Sequence, residues 1–88
     1  MKVIFAKIAD FEYKQWSIND ERVFDRINRI IDDILRSPFS GIGKPEQLKH
    51  KYTGYWSRRI DSKNRIVYRF IDDETIEIAR CKGHYGDK

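Results

Sequence analysis

The strongest hydrophobic pattern in the chain lies between residues 20 and 36. Apolar side chains recur there at i, i+4, i+7, i+8, i+11 and i+12, which is the spacing of one face of an α-helix. They are Val23, Ile27, Ile30, Ile31, Ile34 and Leu35. Asp20 is a preferred N-cap residue, Arg36 suits the negative end of the helix dipole, and Pro38 disfavours a further turn. We therefore predict a helix over about residues 20–36 whose apolar stripe packs in the core.

The segment before this helix predicts a strand and a shorter helix. Lys2 to Phe5 is a short apolar run suited to a first strand, and residues from about Lys7 to Trp16 repeat at near-helical spacing. The inward side of that helix is predicted to carry Ile8, Phe11 and Gln15, and its outward side Glu12 and Lys14.

The second half of the chain is typical of β-structure. Residues 55–60, 65–71 and 75–81 are strand-like runs, and the polar residues between them are typical of turns. Three sequential strands joined by short turns predict an antiparallel meander. The whole chain is therefore predicted to have an α+β fold, with a short N-terminal strand, two helices and then a twisted antiparallel sheet.

Alternation along these strands predicts two sheet faces of different chemistry. The face predicted to pack on the long helix carries Trp56, Ile60, Ile66, Tyr68 and Phe70. The opposite face carries Tyr55, Ser57, Arg59, Arg65, Val67 and Arg69. Arg59 lies level with Arg65 if the connection has an odd number of residues or a bulge. Arg58 falls on the core side, so we interpret it as a structural residue that reaches an acid on a helix.

Length and composition indicate one small globular domain. The 88 residues are 40% hydrophobic and 36% charged, which predicts a single domain over residues 1–88 with 86–88 as a short tail. No apolar run of about 18 residues occurs, so no membrane span is expected. The single cysteine, Cys81, fits a reducing cytoplasm, and with only His50 and His84 as other soft ligands no metal site is expected.

The positive charge is concentrated in the second half of the chain. Residues 1–40 hold seven Lys/Arg and seven Asp/Glu, whereas residues 41–88 hold eleven and seven, so the whole excess of four lies in the latter. The basic side chains of residues 41–60 are Lys44, Lys49, His50, Lys51, Arg58 and Arg59. Cations interleaved with Tyr52, Tyr55 and Trp56 suit RNA, although an ordinary solvated surface is the alternative. Glu46 is the single carboxylate among them, and since it would repel phosphate we interpret it as a proton acceptor.

Four stretches carry a resemblance to a known family. They are G-x-G-K-P-E-x-L-K-H at residues 41–50, G-Y-W-S-R-R-I at 54–60, R-I-V-Y-R at 65–69, and H-Y at 84–85. These closely resemble the Txe/YoeB-type toxins of the RelE superfamily, the toxin halves of bacterial toxin–antitoxin pairs, which act as ribosome-dependent mRNA endoribonucleases. The glycine pair lacks the G-K-[ST] of a P-loop, so a nucleotide-phosphate cradle is not expected.

The resemblance implies a RelE-like, microbial ribonuclease-like fold and a set of site residues. The general-base glutamate of the family falls on Glu46, its phosphate-binding residues on Lys49, Arg59 and Arg65, and its C-terminal pair on His84 and Tyr85. Three features depart from the family pattern. Gly83 stands where an aromatic residue is frequent, Asn64 stands where histidine is usual, and residues 86–88 follow the usual terminal tyrosine.

These residue types suit RNA cleavage without a metal or cofactor. RNA supplies its own nucleophile, the 2′-hydroxyl, so the protein must supply a base, an acid and positive charge around the phosphate. Glu46 suits the first role, His84 the second because histidine carries a proton near neutral pH, and the two arginines the third. Arg59 and Arg65 are both expected on the open face, so replacing either with leucine is expected to leave the melting temperature nearly unchanged.

The implied function is therefore that of a translation-inhibiting mRNA endoribonuclease, the toxin of a type II toxin–antitoxin system. Its implied partners are a cognate antitoxin, the ribosome and mRNA, and a homodimer is an open option. A non-catalytic translation inhibitor that binds the ribosome or RNA, or an inactive toxin relative, is the alternative.

Overall fold

The computed structural model describes residues 1–84. Its elements in chain order are β1 (Lys2–Phe5), α1 (Lys7–Asn19), α2 (Glu21–Arg36), β2 (Glu46–Gln47), a 3₁₀ helix (His50–Tyr52), β3 (Trp56–Arg59), β4 (Arg65–Asp72) and β5 (Thr75–Arg80). The Asp20 carboxylate caps α2 by accepting a hydrogen bond from the Val23 amide at 3.2 Å, as its position in the sequence predicts. Helix α1 runs three residues beyond the predicted Trp16.

The described residues form one five-stranded sheet with the order β1-β5-β4-β3-β2. Strands β3, β4 and β5 make the predicted antiparallel meander, and β2 adds to β3 in antiparallel fashion. Strand β1 pairs in parallel with β5, so the first and last strands of the chain are neighbours. The hydrophobic pattern predicts β1, but it predicts neither its partner nor the two-residue strand β2.

The core lies between the two helices and one face of this sheet. Its members from α2 are Ile27, Ile30, Ile31 and Ile34, and those from the sheet region include Ile60, Ile66, Tyr68, Ile76 and Ile78. Trp56 and Phe70 pack against this cluster. The face predicted to meet the long helix is therefore the core face, and five residues separate β3 from β4, the odd number that the register requires.

The predicted inward face of α1 is wrong. Ile8 and Phe11 are 48% and 60% exposed, whereas Glu12, predicted to point outward, is only 4% exposed. The Glu12 carboxylate accepts hydrogen bonds from the Arg80 guanidinium at 2.6 Å and the Cys81 amide at 2.8 Å. A buried carboxylate is tolerated when its charge is paired in this way, so the helix turns a polar residue toward β5.

Arg58 has the structural role that its position on the core side predicts. Its side chain is fully buried, and its Nη1 lies 2.6 Å from the Asp33 carboxylate on α2. Hydrogen bonds from the Ile42 amide and from Arg58 lower the pKa of Asp33, so this carboxylate stays ionised beside the guanidinium. Within residues 1–84, none of the helices combines the length and apolar character needed to cross a bilayer.

Candidate active site

Strand pairing brings three of the predicted site residues onto one sheet face. Arg59 on β3 lies directly opposite Arg65 on β4, and Ser57, two residues before Arg59, lies opposite Glu46 on β2. Paired residues point to the same side of a sheet, as do residues two apart on one strand. Glu46 is therefore a diagonal neighbour of Arg59, a placement that long side chains can bridge.

Glu46 is exposed on the outermost strand of the sheet. Strand β2 contains only Glu46 and Gln47, and the ladder continues through a hydrogen bond of 2.9 Å from the Leu48 amide to the Tyr55 carbonyl. Leu48 is 3% exposed and anchors the strand by burial. The carboxylate is thus held at the sheet edge by its neighbours and remains open to solvent.

The two arginines differ in exposure, which corrects the expectation that both lie free on an open face. Arg59 is exposed and forms no salt bridge with any described residue. Arg65 is only 5% exposed, because a turn and the C-terminal segment pack around it. Its Nη1 donates to the Asp61 carbonyl at 2.8 Å and the Asn64 carbonyl at 3.2 Å, and its amide donates to Gly83. Arg65 therefore also holds the β3–β4 turn.

Asp61 completes that turn. Its carboxylate accepts hydrogen bonds from the Lys63 and Asn64 amides, both at 2.8 Å. Burial alone would raise the pKa of Asp61, but these hydrogen bonds outweigh it and the pKa is lowered, with nearby Arg65 contributing. The carboxylate side chain thus serves the turn, while Arg65 is bound by the backbone carbonyl of the same residue.

The C-terminal segment reaches the site beside the start of β4. The Arg65 amide donates to the Gly83 carbonyl at 2.8 Å, and the Gly83 amide donates to the Asn64 side-chain oxygen at 2.9 Å. His84 follows directly and is exposed. Gly83 has φ +91°, a region that favours glycine. Two of the three departures from the family pattern, Asn64 and Gly83, are thus hydrogen-bonded to each other.

The other predicted residues contribute in different ways. Lys49 is exposed at the start of the 3₁₀ helix, outside the strand pairing that aligns Glu46 with the arginines. Tyr85 lies outside the described residues. Arg69 shares the sheet face, but its Nε lies 2.8 Å from Glu77, so its charge is compensated. The strand pairing thus aligns one carboxylate with one arginine that has no ion pair among the described residues, and His84 follows the segment bonded to the start of β4.

The thiol of Cys81 takes no part in this arrangement. It is fully buried, and desolvation raises its pKa to about 12. Cys81 is therefore protonated at neutral pH and does not act as a nucleophile. No group of three or more metal-ligating side chains occurs within residues 1–84.

Solved structures with the same arrangement of helices and strands identify the class of fold. The structure of YafQ from Escherichia coli has a TM-score of 0.75 and covers 93% of this chain and 91% of its own at only 12% identity, so the fold is shared beyond sequence similarity. A YoeB/ParE toxin from Agrobacterium tumefaciens has a TM-score of 0.92 and 40% identity, covering 97% of this chain and 100% of its own.

The family follows from the sequence. Residues 5–85 match the model of the YoeB-like toxins of bacterial type II toxin–antitoxin systems, and the chain belongs to this family. Toxin YoeB of Streptomyces coelicolor is 46% identical over 97% of this chain and 100% of its own length. Staphylococcus aureus YoeB has been solved in a heterotetrameric complex with YefM (44% identity, TM-score 0.86, covering 94% of this chain and 95% of that one). It has also been solved as a dimer (43% identity, TM-score 0.89, covering 97% and 98%).

Proposed function

We propose that this toxin is an endoribonuclease that cleaves mRNA on the ribosome and inhibits translation in the cytoplasm. The observation that supports this most strongly is the strand register, which sets Glu46 diagonal to the Arg59–Arg65 pair on one sheet face. A carboxylate near uncompensated positive charge suits a reaction that removes a proton while negative charge develops on a phosphate.

The proposed reaction uses the 2′-hydroxyl of the RNA as nucleophile. Glu46 takes the hydroxyl proton as the 2′-oxygen bonds to phosphorus, and the bond from phosphorus to the 5′-oxygen breaks. His84 donates a proton to the departing oxygen, which leaves a 2′,3′-cyclic phosphate upstream and a 5′-hydroxyl downstream. Each proton transfer by a positioned side chain contributes about a hundredfold to ten-thousandfold in rate.

The arginines stabilise the charge that develops on the phosphate. Arg59 is exposed and uncompensated within the described residues, so its donors meet the phosphate oxygens directly. Arg65 contributes its charge from a fixed position, since the turn around residues 61–64 holds its guanidinium. Lys49 adds positive charge near Glu46 in the chain, and a role for Tyr85 rests on the sequence resemblance alone.

Primer extension on mRNA from a translating ribosome system tests this function. We expect discrete 3′ ends within codons when the purified toxin is added, and no such ends when the same mRNA is incubated without ribosomes. If translation stops while the mRNA stays intact, the protein is a non-catalytic inhibitor. Cleavage of free mRNA at the same rate would contradict dependence on the ribosome.

The partner that we propose is an antitoxin with an acidic segment that is unfolded alone. The described exposed cations near the site include Lys44, Lys49, Arg59 and Lys63, which suit carboxylates. We expect the affinity of the complex to fall with rising salt, and circular dichroism to show the segment gaining structure on binding. A folded or basic toxin-binding segment would contradict the partner proposal.

Light scattering on the free toxin tests the homodimer that we propose by analogy with the relative solved as a dimer.

A further inference from the structure

One buried arginine binds most of the loop that precedes the proposed base. The Arg58 guanidinium is fully buried, and its Nη1 lies 2.6 Å from the Asp33 carboxylate on α2. Its remaining acceptors are the Ser37 carbonyl at 2.5 Å, the Ser40 carbonyl at 3.0 Å, the Ile42 carbonyl at 3.2 Å and the Tyr68 hydroxyl at 3.2 Å. Three backbone carbonyls within six residues therefore converge on one side chain, so the loop folds around this guanidinium.

The glycine pair of the same loop fits this arrangement. Gly41 has φ +126°, and a Cβ there would lie 1.9 Å from Asp33 Oδ2 and 3.0 Å from Arg58 Nη1. Gly43 has φ +80°, and a Cβ there would lie 2.9 Å from the Arg59 carbonyl. Both glycines are thus required by close approach to the ion pair and to β3. The G-x-G pattern, which does not form a P-loop, has a structural explanation in the packing against Arg58 and Asp33.

The loop is connected to Glu46 by a short and weakly supported path. The Gly43 carbonyl accepts from the Arg59 amide at 2.6 Å, and Glu46 follows three residues later on the two-residue strand β2. An edge strand this short has few hydrogen bonds of its own to define its register on β3. Leu48 anchors β2 on the C-terminal side of Glu46, so the loop is what restrains the strand on its N-terminal side.

We propose that Arg58 is a positioning residue for Glu46, acting through the loop of residues 37–43. The cleavage-rate test of this proposal rests on the proposed function, in which Glu46 is the base. An effective base must lie within hydrogen-bond reach of its proton, and small displacements of such a group reduce the rate strongly. Arg58 fixes that geometry from the buried side of the sheet, while Arg59, the next residue, faces the substrate.

Arg58→Lys is the variant that tests this. Lysine keeps the charge beside Asp33 but cannot reach all the carbonyls that the planar guanidinium binds. We expect kcat to fall by about tenfold or more, with KM changed by less than about threefold, because ribosome binding does not depend on the base. In the Glu46→Gln background the same change should lower the residual rate by less than about twofold, since there is no longer a base to position.

A matched control separates positioning from loss of stability. Ile30→Val removes one methylene from the buried face of α2 and leaves every hydrogen bond of Arg58 in place, so it should leave kcat unchanged below its melting temperature. If Arg58→Lys lowers the rate by the same factor with and without Glu46, the residue does not act through the base and the proposal is wrong.

Amide hydrogen exchange tests the anchoring without using activity. In Arg58→Lys the amides of Leu48 and Arg59, which bond to Tyr55 and Gly43, should exchange about tenfold faster or more. The Ala6 amide, bonded to the Ile78 carbonyl at the other side of the sheet, should keep its rate. If the amides of Leu48, Arg59 and Ala6 all exchange faster by the same factor, the variant is generally destabilised and the proposal is wrong. The proposal is also wrong if exchange at Leu48 and Arg59 does not change. This measurement stands even if the protein cleaves no RNA.

Discussion

Glu46→Gln is expected to lower the rate of mRNA cleavage by about a hundredfold or more. Glutamine keeps the shape of the side chain but cannot accept the 2′-hydroxyl proton. Glu46 is exposed on a two-residue edge strand, so the substitution should leave the melting temperature within about one degree of the parent. Single-turnover cleavage with saturating ribosomes measures this rate apart from binding.

The chemistry of the fragment ends provides the second half of this test. If the RNA supplies the nucleophile, mass spectrometry will find a 2′,3′-cyclic phosphate on the upstream piece and a 5′-hydroxyl on the downstream piece. A 5′-phosphate on the downstream piece would mean that water attacks the phosphorus. The roles assigned to Glu46 and His84 would then both be wrong, whatever the effect of the substitution on rate.

The two arginines are expected to respond differently to replacement by leucine. Arg59→Leu should lower cleavage at least about tenfold and leave the melting temperature nearly unchanged, because its side chain is exposed and forms no ion pair with a described residue. Arg65→Leu should lower cleavage to a similar extent and also destabilise the fold by about 1–3 kcal/mol, since the Asp61 and Asn64 carbonyls lose a buried donor. Thermal denaturation and cleavage assays on the same preparations measure both effects.

Arg69→Leu is the matched control for this pair. It removes the same charge from the same sheet face, but Arg69 lies 2.8 Å from Glu77 and outside the aligned pair. Its cleavage rate should therefore stay within about threefold of the parent. A loss equal to that of Arg59→Leu would show that only the total charge of the face matters, and the specific assignment of Arg59 and Arg65 would fail.

Much of the fold follows from local pattern in the sequence. The stripe of α2 is correct because six apolar residues at helical spacing leave only one face that can be buried. Arg59 lies level with Arg65 because β3 ends at Arg59, which leaves an odd connection of five residues and meets the condition that strand alternation sets.

The errors arise where a distant partner outweighs the local pattern. Glu12 is buried because Arg80, 68 residues away in the sequence, neutralises it, and no spacing within α1 reveals that partner. Arg65 is buried for a similar reason, since the C-terminal segment returns to pair with its amide. Strand β2 has only two residues, which is too short for any alternation to be detected.

The residue types of the candidate site can be predicted from the sequence, but the solvent exposure of the individual side chains cannot. Glu46 is exceptional as the single carboxylate in a basic stretch, and the strand pairing aligns it with the arginines. Nothing in the local sequence indicates that Asn64 and Gly83 contact each other, because the residues lie 19 positions apart. The functional assignments of all these residues remain predictions, for Glu46, Arg59 and Arg65 as well as for Lys49, His84 and Tyr85.

The division between exposed and buried arginines bears on how bacteria escape this toxin by mutation. Substitutions of Glu46 are expected to give stable, inactive proteins that still occupy the proposed antitoxin, so that active copies made from an intact gene are left without it. Losses at Arg58 or Arg65 also weaken the fold, because both side chains are buried and hydrogen-bonded to backbone carbonyls. Such chains would be cleared by proteases and leave the antitoxin free. Survivors of toxin expression in cells that also carry a functional copy should therefore be enriched in the second kind.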